Sequence, residues 1–320
     1  MCHSNTLQTA NPPRHIFGIV CLLNVLWTPV NFMVSAATNR GFSPAAVGLA
    51  RWTSLALMML LLLRSSWFRK ITGHVALTKR DWWKCFGIGF FLFGPSHMLF
   101  YLSMGLVKQG LASEVEGTVI LSTAPIFTGL LSYFVLHERL SARRVAAIAL
   151  SFVGAYIVAV GFAFPSLVGH AKGNLTFGLG VVLECLMGVI AARISRRSSG
   201  VSVLSAQMLG GGVSFWVMPL LLPSVLPITF GTSFEAYLPV LYLIFISGLI
   251  TFTIWYRIVE SVPLTQLVVG IALQPPLAAL IGWVFKGELP GRNAVIGGCV
   301  IMLALALGFL GKTEKVEAID

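Results

Sequence analysis

The chain has 320 residues, of which 57% are hydrophobic and only 10% charged, with a mean hydropathy of +0.87. A water-soluble domain carries about 25% charged residues, so this chain lacks the polar surface to be one. The net charge of +11 suggests nucleic acid at first sight, but the basic residues sit in short loops between apolar runs, where they set membrane orientation.

The first 13 residues (MCHSNTLQTANPP) are polar and are expected to form a disordered cytoplasmic tail, with no cleavable signal evident. Ten apolar runs follow, at about 15–38, 44–63, 83–106, 111–136, 142–163, 174–195, 200–222, 236–258, 263–285 and 293–311, each able to cross roughly 30 Å of hydrocarbon as a helix. Residues 312–320 make a short cytoplasmic C-terminal tail. Alternating ten-residue strands are absent, which argues against a transmembrane barrel. With the N-terminus in the cytoplasm, 16 of the Lys and Arg residues fall on that side and five (Arg40, Lys108, Lys172, Lys286 and Arg292) on the other, leaving Arg51 inside the second span. That split predicts both termini inside, and the expected location is the inner, or plasma, membrane. Cys2, Cys21, Cys85, Cys185 and Cys299 are scattered and odd in number, so neither a disulfide framework nor a metal site is expected.

The chain repeats itself. Residues 16–62 align without gaps to 176–222: Phe17-Gly18 meets Phe177-Gly178, and Leu23, Leu26, Ser35, Ala46, Leu49, Ser54 and Met58 meet identical residues. Further on, Pro125 meets Pro275, and a Glu-Leu-containing elbow recurs at Glu138–Leu140 and Glu288-Leu289. The units are 14–165 and 172–311. Five spans per unit is an odd number, so the second copy enters the bilayer from the opposite face. The expected fold is an all-α membrane protein with ten transmembrane helices built as two inverted five-helix repeats.

The paired segments PIFTGLLSYFVLHERLSARRVAAIALSFVGAYIV (125–158) and PPLAALIGWVFKGELPGRNAVIGGCVIMLALAL (275–307) resemble the EamA type of the drug/metabolite transporter superfamily. The resemblance covers about residues 15–311 and implies a carrier of small metabolites, with export the commonest direction among characterised bacterial members. In one respect the second copy departs from the first: Pro290-Gly291 stands where Ser141 is expected to cap the following helix.

Polar side chains inside spans are costly and by default mark a wet cavity or a partner helix. In the first span Asn24, Thr28, Asn31 and Ser35 share a face, with Trp27 on its flank and Pro29 as a bend. The third carries Phe93, His97 and Tyr101 one turn apart, beside Gly94-Pro95. His97 either passes protons or holds a backbone carbonyl. In the fourth, Glu116 is the repeat mate of Gln266, and Glu114, Thr118 and Ser122 share a face. Glu184, deep in the sixth span, is the mate of Asn24; it stands as a proton carrier or as the buried partner of Arg51. Ser247, Thr251 and Trp255 line one face of the eighth span beside Tyr256, and Gln266, Gly270 and Gln274 one face of the ninth. The expected cavity residues are therefore Asn24, Trp27, Asn31, His97, Tyr101, Glu116, Ser122, Trp255, Tyr256, Gln266 and Gln274. Glu184, Glu116 and His97 are the candidates for proton coupling, and Pro29, Pro95, Pro125 and Pro275 for hinges.

No P-loop, nucleophile constellation or metal-ligand cluster is present, so neither enzyme chemistry nor a cofactor is expected. Arg51 is the one cation in the central helices, too few to hold a phosphorylated cargo. The predicted function is a secondary active transporter with alternating access, proton-coupled or facilitative, exporting a small metabolite, with an amino acid or amino-acid-like compound first. Its cavity is expected between the first, third, fourth, sixth, eighth and ninth spans. Import of a vitamin or other metabolite by the same motion, and a channel or membrane assembly role, are the alternatives. Expected partners are a small-molecule substrate and the bilayer, with a homodimer open and no nucleic acid.

Overall fold

In hydrocarbon each apolar segment must satisfy its own backbone groups, which only a helix does within one segment. The computed structural model describes residues 15–111, 114–138, 140–162, 170–287 and 289–309, and ten of its helices are long and apolar enough to span a bilayer. They are α1 (Ile16–Asn39), α2 (Pro44–Leu62), α3 (Lys79–Val107), α4 (Glu114–Leu121 and Ala124–Leu136) and α5 (Ala142–Val160), then α6 (Ala171–Ser195), α7 (Gly200–Leu221), α8 (Phe234–Val259), α9 (Leu264–Ile271 and Gln274–Lys286) and α10 (Arg292–Phe309). A short helix, Ser66–Thr72, joins α2 to α3.

The inverted repeat is visible in the helix defects. α4 and α9 both break immediately before their second pieces, at residues 122–123 and 272–273, 150 residues apart, and Pro125 and Pro275 enter the first turn of those pieces. Proline is tolerated there because a first-turn N–H has no intrahelical acceptor. Where single helices were predicted for the fourth and ninth spans, the chain therefore makes two pieces each. Both α3 and α8 carry a π-helical segment, Gly89–Phe93 and Phe245–Ile250 respectively. α1 also breaks, at Thr28-Pro29, with Pro29 opening the second piece (Val30–Asn39). By contrast, Pro95 sits in the first turn of the helical piece that follows the α3 π segment, without a break.

Packing between the halves relies on glycine. A Cβ at Gly89 of α3 would lie 2.2 Å from the Gln207 carbonyl oxygen of α7, and one at Gly210 of α7 would lie 2.0 Å from that of Phe86. The two backbones thus touch directly. The repeat-related helices α5 and α10 pack along one another, and a Cβ at Gly297 would stand 2.5 Å from the Gly154 oxygen. Small residues that let backbones approach are the usual means of helix association in lipid.

The elbow after α4 turns on His137, which adopts a left-handed conformation (φ +52°); Gly287 does the same after α9 (φ +71°). Ser141 then caps α5, its Oγ accepting the Arg144 N–H at 3.4 Å.

Candidate functional site

A cavity of about 260 Å³ lies between the halves. Its wall draws on α1, α3, α4, α6, α8 and α9, together with Arg51 of α2. The cavity reaches from mid-helix positions, such as Glu184 midway along α6, to Val259 and Leu264 where α8 ends and α9 begins.

Two aromatic clusters line the cavity. The Trp27 ring lies 5.6 Å from Phe252 and 5.3 Å from Trp255, while Phe100 and Phe177 meet at 5.1 Å across α3 and α6. All five residues line the cavity. Offset and edge-on ring contacts at these separations give a fixed apolar surface.

Three of the lining groups, Arg51, Trp27 and His97, are held at the π segments. A π turn shifts the hydrogen-bond register and releases backbone carbonyls, which then need other donors. In α8 the Leu243 carbonyl accepts Arg51 Nε at 3.1 Å. The Ser247 carbonyl accepts Trp27 Nε1 at 3.2 Å, Thr251 Oγ1 at 2.5 Å and Arg51 Nη2 at 3.4 Å. In α3 the Phe93 carbonyl accepts Ser96 Oγ at 2.9 Å and faces His97 Nδ1 at 3.0 Å. Repeat-related defects thus anchor Arg51 and Trp27 through α8 and His97 through α3.

The predicted cavity residues divide into three groups. Trp27, Asn31, His97, Tyr101, Trp255, Tyr256 and Gln274 line the cavity, as does Glu184. Asn24, Ser122 and Gln266 are buried but do not. The Asn24 amide donates to its own helix at Val20 O (2.8 Å) and its oxygen receives the Gln274 side chain at 3.3 Å, so it orients a lining residue from behind. Ser122 spends its hydroxyl on the Val119 carbonyl at 2.6 Å, and Gln266 is 4% exposed. Finally, the Glu116 side chain lies outside the described residues. Tyr256 shows its ring to the cavity while its hydroxyl donates to Gln207 Oε1.

The sequence left open whether Glu184 pairs with Arg51. Among the described residues no ion pair joins them. Arg51 is held instead by neutral acceptors on α8 and by Tyr101 Oη at 3.4 Å.

One charged cluster was missed. Glu138, in the elbow after α4, is 8% exposed and reaches across to the other half. Its Oε1 accepts the Leu264 N–H at 2.8 Å, its Oε2 accepts the Thr265 N–H at 3.0 Å and hydroxyl at 2.6 Å, and Arg196 beyond α6 pairs with it. A carboxylate on the first N–H groups of α9 satisfies donors that the helix itself leaves open and meets the positive end of its dipole. The left-handed turn at His137 is what swings Glu138 back toward α9.

Residues 16–160 and 171–310 each match the EamA-like transporter family. The chain belongs to that family. Among curated relatives, the transporter YdfC of Bacillus subtilis is 24% identical over 73% of each chain. A probable terminal-alkyne amino-acid exporter of Streptantibioticus cattleyicolor is 26% identical over 61% of this chain and 64% of its own. A transporter of Archaeoglobus fulgidus is 22% identical over 90% and 96%. A solved structure described only as a crystal structure of a protein superposes with a TM-score of 0.71 at 18% identity, covering 91% of this chain and 95% of its own, and shares the fold. The EamA-like chain is a multi-pass membrane protein of the transporter class, in which two inverted five-helix repeats enclose a common cavity.

Proposed function

We propose that this EamA-like protein is a secondary active transporter of the inner membrane, with both termini cytoplasmic, that exports an amino acid or amino-acid-like metabolite by alternating access. The observation that carries the reading is the cavity itself: both halves contribute walls, and an aromatic face stands beside Arg51, Glu184, Asn31 and Gln274. A site shared by inverted repeats can be exposed to either face of the membrane when one half rocks against the other. Its volume, about 260 Å³, lies at the small end of ligand cavities and suits a cargo of amino-acid size. The similarity to a probable amino-acid exporter supports the same cargo class.

For proton coupling the reading favours Glu184 over His97. Glu184 lines the cavity and makes no hydrogen bond or ion pair with a described residue. His97 Nδ1 is engaged by Phe93 and Ser96, and its ring stacks on Phe93 at 4.2 Å between centroids.

The test is efflux. Cells expressing the protein, compared with cells lacking it, are expected to accumulate one or more amino-acid-like compounds in the medium, seen by untargeted metabolite profiling. Purified protein in proteoliposomes is then expected to exchange those compounds with saturation. Identical inner and outer metabolite pools, or conductance without saturation, would overturn the reading.

A further inference from the structure

Two side chains of opposite charge face the cavity, and neither has an ionic partner among the described residues. Charges inside a membrane protein are ordinarily paired, because an uncompensated one is costly in a medium of low polarity. Arg51 is 4% exposed, and the groups that hold it are neutral: the Leu243 and Ser247 carbonyls, the Ser247 hydroxyl at 2.9 Å, the Tyr101 hydroxyl at 3.4 Å and the Trp52 ring, 4.3 Å below its guanidinium carbon. A guanidinium has five N–H groups, so these acceptors leave one Nη1 hydrogen without a partner. Tyr101 Oη receives a bond from Arg51, which leaves its own O–H free to donate beside that hydrogen. Together they form a two-donor cradle of the kind that matches a carboxylate. Glu184, from α6 in the other half, supplies a carboxylate to the same space.

The missing counter-ions are therefore one anion and one cation, both required inside a single small cavity. A molecule bearing both satisfies the pair at once. We infer that Arg51 with Tyr101, and Glu184, recognise the carboxylate and the ammonium of one zwitterionic amino acid, whose apolar side chain lies against Trp27, Phe252 and Trp255. The inference rests on the amino-acid reading above and sharpens it: it assigns cation recognition to the second half and anion recognition to the first, so that a bound zwitterion bridges the two. The sequence marked Arg51 as the charge left inside the second span and as a candidate partner of Glu184, not as a contact for cargo.

The experiment titrates three probes into the full chain in lipid nanodiscs by calorimetry: phenylalanine, phenethylamine (no carboxylate) and 3-phenylpropionate (no ammonium). The wild type is expected to bind phenylalanine about 10- to 100-fold more tightly than either truncated probe, the loss that accompanies one charged hydrogen-bonded contact. Glu184→Gln is expected to weaken phenylalanine to the level of 3-phenylpropionate and leave 3-phenylpropionate unchanged. Arg51→Gln should weaken phenylalanine to the level of phenethylamine and leave phenethylamine unchanged. Equal affinity of the wild type for phenylalanine and either truncated probe overturns the inference while the amino-acid reading stands. A variant that binds all three probes equally less well also overturns it, and marks Arg51 as a brace for α8. If the wild type binds none of the three but exchanges a different metabolite class in proteoliposomes, the amino-acid reading fails and the inference fails with it. Should Arg51→Gln not fold, Glu184→Gln alone still decides the ammonium half, and Arg51→Lys, which keeps the charge and loses the fork, decides the carboxylate half.

Discussion

Replacing Glu138 with glutamine removes the charge from the one described carboxylate that ties the elbow of the first repeat to α9 and Arg196 of the second. Truncating one member of a buried, hydrogen-bonded ion pair costs about 3–5 kcal/mol. Glutamine keeps the shape and one acceptor, so the loss is expected near the bottom of that range, with about 0.5–1 kcal/mol of it from the α9 dipole. If this end of the bundle opens during transport, the contact exists in only one of two conformations, and its loss shifts their balance directly. At 1.4 kcal/mol per factor of ten, about 3 kcal/mol corresponds to a shift of about 100-fold toward opening. The assay uses a single cysteine at Val259, which lines the cavity at the same end of α8 and is 3% exposed. Its labelling by a membrane-impermeant maleimide from the cytoplasmic face is expected to accelerate by one to two orders of magnitude in Glu138→Gln. Thr265→Val, which removes only the hydroxyl at 2.6 Å, should produce a shift of about tenfold or less. An unchanged labelling rate in Glu138→Gln, with thermal stability also unchanged, would refute the reasoning and show that the contact persists through the cycle.

Three further outcomes are expected. His137→Gly should raise the unfolding midpoint in detergent by the equivalent of about 1 kcal/mol, since an exposed histidine with φ +52° stands where the other repeat has Gly287; a lower midpoint would mean that the imidazole makes a stabilising contact. Gly297→Ala forces a methyl to 2.5 Å from the Gly154 oxygen and should destabilise by about 1–3 kcal/mol, whereas Gly18→Ala, with nothing within 4 Å, should be neutral in the same thermal assay. Glu184→Gln, assayed at saturating phenylalanine in inverted vesicles, should lose its response to an imposed pH gradient; an undiminished response would place coupling on another group.

Much of the architecture was legible because a bilayer allows so few solutions. Apolar length gave the ten spans, and an odd number of spans per repeat gave the inversion. Pro125 and Pro275 marked the broken helices through their shared register, although the breaks fall just ahead of them. The candidate site was legible only in part, for two physical reasons. A polar residue inside a span does not have to face a cavity: the Ser122 hydroxyl reaches its own helix three residues back, and Asn24 serves Gln274 from behind the wall. The π segments at Gly89–Phe93 and Phe245–Ile250 were not legible, because part of what satisfies their carbonyls comes from far along the chain, as with Trp27 and Ser247, 220 residues apart. Glu138 is a similar case. Its elbow repeats visibly at Glu288, but its partners Arg196 and Leu264 belong to the other half.

The claim on which everything depends is that the two halves move reciprocally about the shared cavity. Spin-label pairs at repeat-related positions test it: Ser141 with Ser198 at the Glu138 end, and Gly291 with Thr38 at the opposite end. Pulsed distance measurements in nanodiscs, with and without substrate, should show one distance lengthening as the other shortens. Two distances that stay fixed under every condition, or widen together, would contradict alternating access by this EamA-like protein.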